Sequence, residues 1–423
     1  MKTSMLAISL VAVTALGVYA YPTVSAKLIK PTVTPVAVAQ PEVQTPEVQP
    51  SVVQTTVETA QGAATSINQK KIEVVFVLDT TGSMSGLIQG AKDNIWSIAS
   101  SMASAESSPT IKMGLVAYRD RGDDYVTQVV DLNEDLDTNY GKLLSFQAAG
   151  GGDGPESVNK GLYDAVNGMS WSQDKDTYRV VFLVGDAPPH MDYQDEMQFP
   201  EIVKLANSKG IIVNAIQCGN DGSATSFWKQ IAQLGKGEFF QVEQNGGAVA
   251  VSTPYDEQIA TLSRELDGTR LYYGDKSVKE EKRQKRAATE LFNRSASSSS
   301  IARKAEFNTS KSGKHNFVGK NELVDAISSG DVSLESITQD ELPEELQSLG
   351  RDEQDKVIKE KALKREELKS KIAELSKKRG DYVKAELEKN DEAEESLDMK
   401  IYRAVKSQAS EKGLIYSDDA PKY

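Results

Sequence analysis

The chain has 423 residues, 39% hydrophobic and 26% charged, a balance typical of globular protein, and its length suits two or three domains of roughly 100–200 residues each. Acidic residues outnumber basic ones 62 to 49, for a formal charge of −13, the reverse of what neutralising nucleic-acid phosphates requires, so no nucleic-acid partner is expected. One cysteine, Cys218, excludes an intrachain disulfide and a cysteine-rich zinc site, and two histidines, His190 and His315, leave little for a histidine relay.

In chain order, Lys2 and the uncharged Met5–Tyr21 run, followed by small residues at Ala20 and Val24-Ser25-Ala26, read as an export signal over 1–26. The alternative is an uncleaved anchor helix, because the apolar run is just long enough to span a bilayer. Residues 27–69 are rich in Val, Thr, Gln, Pro and Ala, and six of the 14 prolines lie before residue 51. Such a stretch buries too little apolar surface to offset its ordering entropy, so an extended tether is expected.

From Ile72 the pattern alternates. Ile72–Leu78 is an apolar run ending at Asp79, as in a strand buried on both faces. Leu87, Ile88, Ala91, Ile95, Ile98 and Met102 recur at helical spacing. Met113–Tyr118 and Tyr125–Leu132 predict two strands joined by a polar turn. Three further strands, at 179–185, 211–217 and 238–242, alternate with helices at 156–167, 198–208, 225–234 and 255–266. The expected fold over 70–275 is α/β, a doubly wound and mostly parallel six-stranded sheet with helices on both faces.

Beyond residue 275 the chain is charged, with a serine tract at 295–300, and 276–320 reads as a linker. A charged α-helical C-terminal region is expected over 321–423. Its longest helix runs from Asp352 to about Glu388, with Ile358, Ala362, Leu368, Ile372, Leu375, Tyr382 and Leu387 as a narrow apolar stripe. Lys361, Arg365 and Arg379 interrupt the stripe, which favours a helical hairpin with 398–410 over a coiled coil.

In a doubly wound sheet ligands gather outside the carboxyl ends of the strands. Three loops should converge there: Asp79-Thr80-Thr81-Gly82-Ser83, Gly150-Gly151-Gly152-Asp153-Gly154-Pro155-Glu156-Ser157, and Gly185-Asp186. Carboxylate and hydroxyl oxygens without nitrogen or sulfur suit a hard divalent cation, Mg²⁺ first and Mn²⁺ or Ca²⁺ as alternatives. Taken singly, Asp-Thr-Thr-Gly-Ser is equally compatible with a helix N-cap.

Asp79-x-Thr81-x-Ser83 with Asp186 at the end of a later strand resembles the metal-ion-dependent adhesion site of the von Willebrand factor type A domain. The resemblance covers about 70–270. It implies a binding domain rather than an enzyme, with Asp79, Thr81, Ser83 and Asp186 as metal ligands and Asp153 where the family usually places a Thr. Glu156 or Ser157 is the alternative to Asp153. The vacant coordination position would be filled by an oxygen of a protein or glycan partner. The implied function is metal-dependent recognition by an exported protein, periplasmic or extracellular. The competing reading is an envelope structural factor in which the metal only stabilises the loops. A Ser83–His190–Asp186 hydrolase ranks last, since Ser83 and Asp186 serve better as oxygen ligands and no G-x-S-x-G elbow occurs. Arg121-Gly122-Asp123 reads as a solvated turn, and Cys218 as a small buried hydrophobe.

Overall fold

The computed structural model describes residues 70–152, 154–244, 251–387 and 397–416. The expected export signal and tether, and Asp153, lie outside the described residues. Strand β1 (Lys71–Asp79) is central, parallel to β2 (Thr110–Tyr118) on one side and to β4 (Tyr178–Gly185) on the other. Hydrogen-bonded and covered on both sides, it has no solvent face, which is why its sequence is a continuous apolar run. A hairpin adds β3 (Thr127–Asn133) antiparallel to β2, while β5 (Ile211–Cys218) and β6 (Lys236–Val242) extend the parallel half. The order is β3-β2-β1-β4-β5-β6. Strand order reverses direction between β1 and β4, so the ends of those two strands form the switch point of the sheet.

Helices cover both faces. On one, Val75, Val77, Val181 and Leu183 pack with α3 (Val158–Asn167), α4 (Phe199–Ser208) and α5 (Gly222–Leu234). On the other, Val74, Phe76, Leu78 and Phe182 pack with α1 (Ser85–Ala103) and α2 (Leu136–Ser145). Helix α2 has no counterpart in the sequence reading. It starts where the Asp135 carboxylate accepts the Thr138 N–H, an N-cap within a short polar stretch. Helix α6 (Asp256–Asp267) completes the alternating part.

Residues 276–320 differ from the expected linker. They form α7 (Lys276–Ser295), α8 (Ser298–Thr309) and α9 (Lys314–Val318). The serine tract is a helix start, in which the Ser297 hydroxyl accepts the Ser300 N–H. Phe292 and Phe307 sit 5.8 and 5.9 Å from the ring of Trp96 on α1, and Phe292 meets Tyr140 of α2 edge-on at 4.6 Å. Their charged residues misled because several are buried against partners. Lys304, fully buried, lies 3.1 Å from Asp267 and 3.4 Å from Asp137, while Lys285 reaches Asp135 at 2.6 Å and Arg270 reaches Asp267 at 3.0 Å.

Helices α10 (Leu323–Ser329), α11 (Arg351–Leu387) and α12 (Leu397–Ala409) follow. Arg365 and Arg379, expected to interrupt the α11 stripe, are instead buried anchors within it. Arg365 makes two 2.9 Å bonds to Glu322, and Arg379 one of 2.8 Å to Asp256 of α6. Helix α12 departs from the expected hairpin. Ile401, Tyr402, Ala404 and Val405 enter the same core as Phe76 and Phe182, beside α1 and β6. No described helix is long and apolar enough to cross a membrane.

Candidate functional site

Strand β1 delivers Asp79 into a fully buried position. The Thr81 N–H and hydroxyl both donate to Asp79 Oδ1, at 2.8 and 2.6 Å, and the Thr81 hydroxyl lies 3.4 Å from that of Ser83. The two-residue spacing thus turns both hydroxyls to the side of the Asp79 carboxylate. Asp79 Oδ2 is buried and has no hydrogen-bond partner. Gly185, at the end of β4, lets that strand pass close by, since a Cβ there would sit 3.1 Å from Asp79 Oδ2. The next residue, Asp186, accepts a 2.6 Å bond from Gln244 Nε2, which also reaches the Ser83 carbonyl at 3.3 Å.

The glycine-rich loop docks on the first. Ala149 N–H donates to the Thr80 carbonyl and Gly82 N–H to that of Gly150. Gly150 and Gly151 both have φ of +79°, and a Cβ on Gly150 would collide with the Asp123 carboxylate at 2.2 Å, so glycine is required there. At the loop's end Glu156 is 4% exposed and its Oε2 has no hydrogen-bond partner. A Cβ built on Gly151 would lie 3.2 Å from Glu156 Oε1 and 3.3 Å from Thr81 Cβ, which places the carboxylate beside Thr81. A cavity of about 310 Å³ is lined by Ser83, Glu156, Asp186, Cys218 and Gln244.

The electrostatics are one-sided. Burial, with the charge of Asp186 added, pushes the Asp79 carboxyl up to about 7 even though the Thr81 bonds and the nearby Tyr118 hydroxyl oppose the shift. Burial and then the charges of Asp79, Asp120, Asp123 and Asp186 push Glu156 up to about 9. Burial and the same acidic surroundings push the Cys218 thiol far up as well, so it is no nucleophile. Arg119, behind these loops, is directed elsewhere. Its guanidinium donates to the carbonyls of Thr80 and Gln147 and stacks 4.3 Å over Tyr125, tying the loops together from behind.

His190 is not part of a relay with Ser83. Its Nδ1 bonds Asp192 at 2.8 Å, its Nε2 lies 3.3 Å from Asp120 without hydrogen-bond geometry, and its ring stacks on Tyr193. The Arg121-Gly122-Asp123 turn is exposed at Arg121 and Gly122, as expected of a solvated turn, and is also held by polar contacts. Arg121 pairs with Asp195 and Glu196 at 2.9 and 2.6 Å, and Asp123 accepts the Gly151 N–H.

Asp79, Thr81, Ser83 and Asp186 are therefore brought together, and Glu156, the alternative on the glycine-rich loop, lies beside Thr81. Gln244 and Arg119 carried no signal in the sequence. A hard cation suits this donor set, because two buried carboxylate oxygens without partners and two adjacent hydroxyls offer oxygen alone. Among the described residues no three His, Cys, Asp or Glu side chains form a metal cage by themselves. An ion here would accordingly lean on the Thr81 and Ser83 hydroxyls and on water.

A family model described as the von Willebrand factor A domain matches residues 73–252. This chain carries a von Willebrand factor A domain. The match spans the sheet apart from Lys71 and Ile72 of β1, and the three strand-end loops described above. Among curated proteins, the alpha-protein kinase vwkA of Dictyostelium discoideum is 30% identical over 121 residues, which is 28% of this chain and 19% of that protein. This chain thus spans about a fifth of that relative's length. Similar solved structures include proximal thread matrix protein 1 from the mussel byssus, at 15% identity over 42% of each chain with a TM-score of 0.31. The SpRpn10 VWA domain is 13% identical, over 41% of this chain and 88% of that one, with a TM-score of 0.32. An aerotolerance-related membrane protein from Bacteroides fragilis is 15% identical, over 41% and 92%, with a TM-score of 0.28.

Proposed function

We propose that this type A domain recognises a protein or glycan partner through a divalent cation, Mg²⁺ in the first instance and Mn²⁺ or Ca²⁺ as alternatives. Asp79, Thr81, Ser83, Glu156 and Asp186 would hold the ion. Asp153 remains a further candidate ligand on the same loop. The observation that carries the reading is the pair of buried oxygens without hydrogen-bond partners, Asp79 Oδ2 and Glu156 Oε2, the second of them on a residue that lines a cavity with Ser83 and Asp186. Leaving such oxygens unpaired costs about 1–3 kcal/mol each, more when ionised, and a cation relieves both. The bound ion supplies a Lewis-acidic position for a partner oxygen. The protein's own part is to hold the loops rigid through Arg119 and the Gly150–Gly151 turn. Consistent with a binding role, His190 is engaged by Asp120 and Asp192 rather than by a nucleophile. The setting in which we place this function is outside the cytoplasm, periplasmic or extracellular, on the strength of the N-terminal sequence.

A second reading is favoured by one contact. Gln244 lies across Asp186 and Ser83, as expected if the ion mainly locks loops within an envelope structural factor. Pull-downs from envelope extract in Mg²⁺, in EDTA and with Asp79→Ala separate the two. A partner retained only by the wild-type protein in Mg²⁺ supports recognition through the ion, and equal retention in all three arms defeats it.

A further inference from the structure

Strands β1, β2, β4 and β5 run parallel, so the loops at their carboxyl ends (79–84, 119–126, 186–198 and 219–223) share one edge of the sheet with the glycine-rich loop 149–157. The described residues of these five loops carry ten carboxylates: three in 119–126, four in 186–198 and one in each of the others. Of the chain's 49 lysines and arginines, only Arg119 and Arg121 fall within them. The edge therefore holds a formal charge of −8 in a chain of −13, and one dication brings it only to −6. Local contacts satisfy hydrogen bonds here without cancelling that charge. Asp123 accepts the backbone N–H groups of Asp120 and Gly151, and Arg121 is divided between Asp195 and Glu196. The side chains of Asp124 and Asp192 are 92% and 73% exposed, the first 3.6 Å from Arg119 and the second bonded to His190.

The middle of the edge supplies an independent observation. Glu156 is buried, its Oε2 has no hydrogen-bond partner, and it lines the strand-end cavity together with Asp186 and Asp221. Buried polar atoms are nearly always satisfied, so this one calls for a group from outside the chain. The rim around the cavity then selects what can approach. A carboxylate arriving at an edge that stays negative with its ion bound is repelled, whereas lysine and arginine side chains are drawn in over a range of about 8 Å at physiological salt.

We propose that the partner recognised at this edge is a basic protein segment, which sets lysine or arginine side chains against Asp124 and Asp192 and offers the ion a neutral backbone carbonyl rather than a carboxylate. The oxygen contact rests on the ion-mediated reading above, and the preference for cations rests on the rim. The test uses the full chain in Mg²⁺ with fluorescein-labelled decalysine and decaglutamate, read by anisotropy at about 0.05 and 0.15 M NaCl. Decalysine should bind saturably, more weakly at the higher salt, and decaglutamate should not bind. The double variant Asp124→Asn with Asp192→Asn should weaken decalysine by about threefold to tenfold. Glu360→Gln with Glu374→Gln on α11, the same change of charge on a different surface, should leave it unaltered. EDTA or Asp79→Ala should weaken it as well. A loss confined to the Asp124 and Asp192 pair, with EDTA and Asp79→Ala without effect, upholds the basic partner and defeats the ion-mediated reading. Preferential binding of decaglutamate in Mg²⁺ overturns the basic partner and leaves that reading standing. Binding of neither probe, or decalysine binding that the two double variants weaken equally or not at all, also overturns the proposal.

Discussion

Two buried acidic centres in this molecule are opposites. In the seam between α2, α6, α7 and α8, Asp137 is fully buried, and burial alone would raise its carboxyl. Lys304, then Lys285 and Arg270, instead hold it below its ordinary value. At the strand ends Asp79 is equally buried, yet it faces Asp186 and Glu156 rather than any lysine or arginine, and its carboxyl rises to about 7. The seam is a closed set of charges that fastens the C-terminal helices to the sheet domain. Among the described residues no lysine or arginine forms an ion pair with Asp79, Glu156 or Asp186, which is what the proposed external cation would answer. Same residue type and same burial give a structural role in one place and a candidate binding role in the other, decided by whether a counter-charge lies among the described residues packed against it.

The contrast can be broken at the seam first. Lys304→Ala leaves Asp137 and Asp267 short of a cation and should cost about 3–5 kcal/mol in urea unfolding. A loss under about 1 kcal/mol would mean that the remaining cations suffice. At the strand ends the sign should invert. In EDTA above pH 7, Asp79→Asn removes an unpaired buried charge and should stabilise by about 1–3 kcal/mol, while abolishing any Mg²⁺-dependent rise in Tm. Destabilisation in EDTA would show that Asp79 already has its counter-charge.

A smaller effect follows from pH. Because the folded-state values of Asp79 and Glu156 lie above their unfolded ones, folding takes up protons. The stability they contribute is present below about pH 4 and is lost as pH rises through about 7 for Asp79 and about 9 for Glu156. Calorimetric Tm in EDTA should therefore decline between pH 5 and 9, with saturating Mg²⁺ flattening the slope. An equal slope in both conditions would dissociate these carboxylates from the ion. The smallest effect is expected of Gln244→Ala, which frees Asp186 from one hydrogen bond worth about 1 kcal/mol and should tighten Mg²⁺ by about fivefold in titration calorimetry. An unchanged Kd would indicate that Asp186 meets the ion only through water.

Much of this was legible in the residues. The apolar runs ending at Asp79 and Gly185 gave the strands whose ends carry the site, because strands covered on both faces admit few polar residues. The Asp79, Thr81 and Ser83 cluster was legible because two-residue spacing on a turn is local geometry. Glu156 was visible only as an alternative, since a flexible glycine stretch leaves open which of its carboxylates turns inward. Gln244 was invisible, arriving from 58 residues beyond Asp186 in the chain. Residues 276–320, expected as a linker, differ for a related reason. Charge-rich sequence ordinarily marks solvent, and only the three-dimensional pairing of Lys285 and Lys304 with Asp135, Asp137 and Asp267 turns it into interior.

By itself, the sequence determined the alternating sheet and the oxygen-rich loop after β1, because hydrophobic period and turn chemistry act over a few residues. Tertiary structure alone decided which of the described carboxylates are paired with lysine or arginine and which are not, because that depends on charges brought together from distant parts of the chain.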